Sequence, residues 1–260
     1  MTNTSQKYFV PIQFIGSILF TIVFMLSIGF FGTIIVITAF FSQTLARTFL
    51  RIWSCTNLIS LRIFCRIRLQ IEGRENIPEQ PAIIMPKHQS TLETIFLQTI
   101  FPNHVWVLKK ELISIPFFGW ALKAMGSIAI DRNEIRKALK AVVAEGSREL
   151  EKGNHIIIFP EGTRTATGEK GEYNIGGAFL AKKTKAPVLP IAHNSGDFWP
   201  KRTFTKRPGT IRIIIGAPLH PEEFSTNELL EATENFIEGT MQSISLCYSS
   251  NVAYKGEGDN

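Results

Sequence analysis

From Tyr8 to Ala46 the chain contains no Asp, Glu, Lys or Arg. As a single helix, at about 1.5 Å rise per residue, that run would be roughly 58 Å long. A bilayer hydrocarbon core is about 30 Å thick. One straight span would leave half the segment over, and Gly29 and Gly32, either side of Phe30 and Phe31, are the natural break. The run therefore predicts two hydrophobic helices, Pro11–Phe30 and Thr33–Trp53, forming a hairpin or partly sunken membrane anchor. A cleaved signal peptide is the competing reading, but its apolar region would be only about 7–15 residues.

Beyond the uncharged run come Arg47, Arg51, Arg62, Arg66 and Arg68, with no acidic residue before Glu72. Trp53, Leu58, Ile59, Ile63 and Phe64 are interleaved with them. Basic and apolar faces on one helix suit an anionic leaflet. Arginines just after an apolar run favour the cytoplasmic side. An ordinary solvated helix face is the plainer alternative. The net charge of +6 permits nucleic-acid binding. There is, however, no zinc spacing, no RNP-type aromatic motif and no basic tract apart from the membrane segment, so no nucleic-acid partner is expected. Cys55, Cys65 and Cys247 have neither metal nor redox spacing, which suits a reducing cytoplasm.

A globular domain begins near Leu69. Apolar runs that read as strands are Arg68–Glu72, Ala82–Met85, Val105–Leu108, Ile128–Ile130, Ile156–Phe159, Val188–Ala192 and Ile211–Ile215. Several are apolar throughout, as in a sheet buried on both faces. Helical patterns lie between them. Asn133–Lys152 places Ile135, Leu139, Val142, Val143, Gly146 and Leu150 on one side and is stopped by Gly153. A last helix opens on the capping box Ser225-Thr226-Asn227-Glu228. Alternation of strands and helices predicts an α/β domain with a mainly parallel, mixed sheet flanked by helices. The segments are thus residues 1–68, anchor and basic interfacial helix; 69–250, catalytic domain; and 251–260, a frayed tail.

Chemistry is concentrated in three blocks: Lys87-His88-Gln89-Ser90-Thr91-Leu92-Glu93, Gly126–Arg132, and Phe159-Pro160-Glu161-Gly162-Thr163-Arg164. Functional loops of parallel strands lie at the carboxyl ends. The first and third blocks follow strands and open at the same edge. His88 is a base candidate at neutral pH. Glu93 is placed to reach the far ring nitrogen, fix the tautomer and stabilise the imidazolium, as in triad logic. Ser90 to Glu93 is also a capping box, so Glu93 has a purely structural alternative. Ser90 as a nucleophile lacks a G-x-S-x-G elbow, and His193 and Asp197 sit in no recognisable context. In the third block Gly162 lets backbone approach an anion, and the Arg164 guanidinium can grip phosphate oxygens in a fork. The plain alternative is a glycine turn with a surface arginine. Asp131-Arg132, after its strand, is a weaker signal of the same kind.

In order and spacing, these blocks closely resemble those of the 1-acylglycerol-3-phosphate acyltransferases. The resemblance covers roughly residues 69 to 220 and implies a glycerolipid acyltransferase-like fold. It implies transfer of a fatty acyl group from acyl-ACP or acyl-CoA to the sn-2 hydroxyl of lysophosphatidic acid, giving phosphatidic acid. The acceptor hydroxyl would attack directly, without an acyl-enzyme. His88 would be the base and Glu93 its orienter. The family pattern is His, four residues, Asp; this sequence departs from it with Glu. Arg164, Lys109 and Arg132 would hold the phosphate, with Lys110 an alternative to Lys109. Glu161, Gly162 and Thr163 would form the acceptor site. Val188–Ile191 matches a hydrophobic family strand, either pocket wall or core. No metal and no cofactor is implied. Membrane lipids would be partners, and the expected location is a bacterial inner membrane with the catalytic domain on the cytoplasmic face. Acylation of another lysolipid and a non-catalytic basic membrane-binding role are the alternatives.

Overall fold

The structure, a computed structural model, describes residues 4–248, with side chains from Pro11 onward. The frayed tail expected at 251–260 lies outside the described residues. All seven expected strands form one sheet: β1 (Ile67–Glu72), β2 (Ile83–Pro86), β3 (His104–Lys109), β4 (Ile128–Ile130), β5 (His155–Ile157), β6 (Val188–His193) and β7 (Gly209–Ile215). Their order is β1-β7-β6-β2-β5-β3-β4. Neighbours are parallel except β6 and β7, which pair antiparallel, Ile191 opposite Ile215. β2 and β6 are buried along their whole length, which explains their uniform apolarity. Val188, Leu189 and Ile191 are core.

Among the described residues eight helices surround the sheet: α1 (Thr4–Ala39), α2 (Gln43–Phe64), α3 (Glu93–Ile100), α4 (Phe118–Ala124), α5 (Ile135–Glu151), α6 (Gly176–Thr184), α7 (Ser195–Phe198) and α8 (Thr226–Ile244). One sheet face packs Ile84, Trp106, Ile157 and Ile191 against α1, α2 and α3 through Phe20, Leu61 and Phe96. The opposite face packs Met85, Val107 and Ile156 against α5 and α6 through Val142 and Leu180. α8 starts with the expected capping box, Ser225 Oγ accepting from Glu228 N while the Glu228 carboxylate accepts from Ser225 N.

The N-terminal segment departs from expectation in where it breaks. α1 runs unbroken through Gly29 and Gly32. The chain turns instead at Phe40 and Phe41, and Ser42 caps α2 by accepting from Leu45 N. A helix-interior glycine costs only about 1 kcal/mol, and packing outweighs it here. A Cβ on Gly32 would sit 3.0 Å from the Phe117 Cβ, so this glycine is a contact point for the loop before α4. Serine and asparagine bind the two helices together: Trp53 Nε1 and Asn57 Nδ2 both donate to Ser27 Oγ, at 3.0 and 3.1 Å. Nearer the start of α1, on the same buried side, Lys206 N donates to Ser17 Oγ. The Lys206 ammonium sits over the rings of Phe20, Trp199 and Phe204. Within α1, Pro11–Ala39 is long and apolar enough to cross a membrane. Ile15, Ile22, Leu26 and Phe30 on its outer side are exposed, as are Ile52, Ile59 and Ile63 of α2.

α5 follows its predicted pattern with one exception. Val142, Gly146 and Leu150 face the core, but Ile135, expected with them, is 77% exposed. It lies in the first turn, beyond the end of β4, where the sheet no longer offers a surface.

Because Phe20 is fully buried against the sheet-side cluster, α1 should be part of the cooperative fold. Phe20→Ala should lower the unfolding free energy by about 3–5 kcal/mol, read by denaturant titration of detergent-solubilised protein. A loss below about 1 kcal/mol would reduce α1 to a tether.

Candidate active site

The carboxyl ends of β2, β3, β4, β5 and β6 share one edge of the sheet. His88 lies just past β2, and the loop after β5 folds over it. The Glu161 carboxylate accepts from His88 N at 2.7 Å. On the other side of the same residue, Thr165 N and Thr165 Oγ1 donate to His88 O at 2.8 and 3.2 Å. The Phe159 ring stacks on the imidazole, centroids 3.8 Å apart and 16° between planes. Backbone and ring of His88 are thus both fixed by one neighbouring loop. Gly162 makes that loop's turn with φ +66°, the left-handed region that favours glycine.

His88 Nδ1 lies 2.8 Å from Glu93 Oε1. A carboxylate only accepts, so the proton is on Nδ1 and the Nε2 lone pair is left for a substrate. The His88 side chain is 13% exposed and that of Glu93 is completely buried. Glu93 Oε1 also accepts from Gln89 N and Ser90 N. Its second oxygen accepts from Ser195 Oγ at 3.0 Å. Glu93 therefore both closes the turn and holds the imidazole, but the expected capping box is only half made, since α3 starts at Glu93 itself and Ser90 Oγ does not take the Glu93 N–H. Burial pushes its carboxyl up, but the hydrogen bond from His88 and the facing imidazoles hold it below the ordinary carboxylate value. Behind Ser195 stands His193, whose Nδ1 is 3.1 Å from Ser195 Oγ and whose Nε2 is 2.7 Å from Lys87 O. Burial lowers the His193 imidazole, against the pull of Glu93. Ser90 Oγ accepts from Leu92 N, a turn contact. Asp197 accepts from Ser245 Oγ and Leu246 N.

A second buried cluster lies under the same loop. Lys87 Nζ reaches Glu161 at 2.6 Å and Glu238, from α8, at 2.8 Å. Tyr173 and Tyr248 donate their hydroxyls to Glu238. Burial pushes the Glu161 carboxyl above its ordinary value, against the stabilising charge of Lys87. The phenols of Tyr173 and Tyr248 are also raised, by burial first and then by the carboxylates. Glu161, expected to shape the acceptor site, is therefore a buried strut and does not face the cleft. Thr163 is exposed at the loop's tip and Gly162 and Arg164 are half-buried. Lys201 holds this loop from outside by donating to Arg164 O. The Arg164 guanidinium has no protein partner among the described residues. Lys109 and Arg132 stand at the ends of β3 and β4, with Lys109 paired to exposed Glu111. Lys110 is exposed beside it.

The sequence offered no sign of Glu238, Tyr173, Tyr248 or Ser195. Their partners lie far along the chain, and only the course of α8 and the end of β6 brings them in. Lys87 was inside the first block, yet nothing in its spacing marked it as an ion-pair partner. Among the described residues no cluster of His, Cys, Asp and Glu suits a metal ion.

A histidine hydrogen-bonded to a buried carboxylate in a strand-end loop, at the edge of a mainly parallel sheet, defines the class of site as that of an α/β enzyme, and the comparisons narrow it. Residues 68–194 match the family model described as Acyltransferase. A Pseudomonas aeruginosa 1-acyl-sn-glycerol-3-phosphate acyltransferase is 46% identical over 71% of this chain and 73% of that protein. The Saccharomyces cerevisiae protein of the same name is 29% identical over 67% of this chain and 59% of its own length. The crystal structure of the 1-acyl-sn-glycerophosphate acyltransferase PlsC from Thermotoga maritima superposes with a TM-score of 0.73, covering 94% of this chain and 97% of that one at 23% identity. The chain belongs to the 1-acyl-sn-glycerol-3-phosphate acyltransferase family.

The Glu93 geometry separates charge from capping. Glu93→Gln keeps hydrogen-bonding atoms but loses the charge facing His88, and should slow turnover at least tenfold. Glu93→Asp should keep substantial activity. Because the folded-state carboxyl is held low, the stability it contributes is full above the ordinary value of about 4.3 and is lost as pH falls below it. The acid limb of a thermal-stability profile should therefore flatten in Glu93→Gln. Equal turnover of Gln and Glu proteins would leave Glu93 only a cap.

Proposed function

We propose that the protein transfers a fatty acyl group from a thioester, acyl-ACP or acyl-CoA, to the sn-2 hydroxyl of 1-acylglycerol 3-phosphate, giving phosphatidic acid. The observation that carries this reading is the His88–Glu93 hydrogen bond, held at a strand-end edge by the loop that also carries Arg164. The names of the relatives support the choice of acceptor. His88 Nε2 takes the hydroxyl proton as the acceptor oxygen attacks the thioester carbonyl. Glu93 stabilises the imidazolium that forms. The tetrahedral intermediate collapses by breaking the C–S bond, and the imidazolium returns its proton to the departing thiolate. The new C–O bond is the ester of the product. Stacking on Phe159 and the backbone clamps keep the ring in place between these two steps. Arg164 grips the acceptor phosphate as a fork, and Arg132 and Lys109 add positive charge along the same edge.

Thioester consumption measured with and without lysophosphatidic acid tests the reading. Turnover should require the acceptor, and His88→Ala should reduce it by about 10²–10⁴. Unchanged turnover in folded His88→Ala protein would overturn the mechanism.

The enzyme also acts, in this reading, on substrate already in a membrane. α1 and α2 present apolar outer faces, and Arg51, Arg62, Arg66 and Arg68 are exposed near them. Such arginines add roughly 1 kcal/mol each near an anionic surface and favour a cytoplasmic placement of the catalytic domain at the inner membrane. Salt screens that attraction but not apolar burial. Full-length protein should stay with membranes through a high-salt wash and need detergent for release. Release by salt alone would leave a peripheral, electrostatic attachment.

A further inference from the structure

Transfer to a lysophospholipid requires the site to manage two hydrocarbon chains, the one being moved and the one the acceptor already carries. The protein has apolar hollows on both faces of the sheet. The first lies between α1, α2 and α4 and is lined by Ile28, Ile35, Trp53 and Leu122, with no Lys or Arg in its wall. The second is a groove of about 190 Å³ on the opposite face. Its floor is Val107, Ile130 and Ile158 at the carboxyl ends of β3, β4 and β5, and its sides are Ala138 and Leu139 of α5 and Ile175 before α6.

Three features of the second groove point to an occupant. It runs up to Phe159 and Gly162, in the loop that clamps His88, so it joins the reaction edge. Arg132 stands in its wall; its guanidinium makes no hydrogen bond among the described residues and has the exposed Glu111 carboxylate as a charge neighbour. Its mouth also exposes Ile135, at 77%, and Ile175, at 41%, two large apolar side chains that the fold itself leaves uncovered. In a lysophosphatidic acid the chain and the phosphate hang from one glycerol unit, so an acceptor site needs a cation beside an apolar channel. Only the second of the two hollows has that pairing.

We propose that the groove between α5 and the carboxyl ends of β3, β4 and β5 binds the acyl chain of the acceptor, with Arg132 over its phosphate. This rests on the acyl-transfer reading above and adds the location of the acceptor chain. Ile135 and Ile175 flank the chain where it leaves the groove, which gives these two exposed apolar side chains a contact.

The test uses full-length enzyme in detergent, with a matrix of short- and long-chain lysophosphatidic acids against short- and long-chain acyl thioesters. Ala138→Phe fills the groove without touching the first hollow. It should raise KM for the long-chain acceptor about tenfold, the effect of displacing roughly two methylenes. KM for the short-chain acceptor and the preference among donors should not move. Ile135→Ser, at a position with no packing to lose, should shift the long-chain acceptor in the same direction by a smaller factor, and it serves if the first variant does not fold. A loss that follows donor length, an equal loss on both acceptors, or no change in either variant overturns the groove assignment. Wild-type protein that consumes no thioester with any acceptor would overturn the activity itself, whereas wild-type turnover with unchanged variants would overturn the groove alone.

Discussion

The buried Lys87–Glu161 ion pair, with Glu161 also holding the backbone N–H of His88, is the contact on which the rest of the site depends. It ties the loop after β2 to the loop after β5. Removing one partner of a buried pair typically costs 3–5 kcal/mol, because the other charge is left uncompensated. That asymmetry makes the two loops a single unit. Glu238 from α8 and the two tyrosines complete the hydrogen bonding around the pair. Two carboxylates share one lysine; burial pushes the Glu161 carboxyl up, and the charge of Glu238 adds to it. The cluster meets the cleft through the Glu161 hydrogen bond to His88 N. Its effect is geometric, holding His88 where Glu93 and Phe159 can fix its ring.

The helices α1 and α2 unite two demands that sequence reading tends to separate. An uncharged segment of this length suggests a detachable anchor, yet α1 buries Ser17, Phe20, Ser27 and Ile35 along one side. The opposite side stays apolar and exposed. Small polar residues mark the packed side because they allow close approach and hydrogen bonds, as Ser17 and Ser27 do. A bilayer rewards the outer face and the domain rewards the inner one, so the same helix can have hydrophobic residues all round without being buried all round. The aromatic cage of Lys206 fastens this helix to the segment that follows α7, and Lys201 in that segment holds Arg164 O. Membrane helix and reaction edge are therefore linked through one short stretch of chain.

The sheet divides the site chemically. His88, Phe159 and Trp106 stack in series, the last two with centroids 5.8 Å apart, and Trp106 lines the hollow under α1. Val107, the next residue of β3, points to the other face, as strand alternation requires, and lines the groove beside α5. One strand thus serves both hollows with consecutive residues. Placing His88 at the strand ends puts it at the rim from which both faces open.

The seven strands, the long helix α5 and the capped start of α8 were legible from the sequence because each depends on local periodicity or a local cap. The first and third blocks were legible because β2 and β5 are apolar runs ending in charged loops, the second of these loops turning at Gly162. The pairing of His88 with Glu93 was also within reach, since five residues and one turn separate them. What the sequence left open has a common cause. Whether Gly29 and Gly32 break a helix depends on what packs against them, and Phe117 is distant in the chain. Whether Glu161 faces a ligand or a lysine depends on how the loops after β2 and β5 fold onto each other. Whether Ile135 is core depends on where the sheet ends. The sequence by itself determined the elements, the apolar first segment and the residues available for chemistry, because those follow from short-range preferences. Only the tertiary structure decided which charges are buried struts and which face a cleft, because burial and charge pairing between remote residues exist only once the strands are ordered in the sheet.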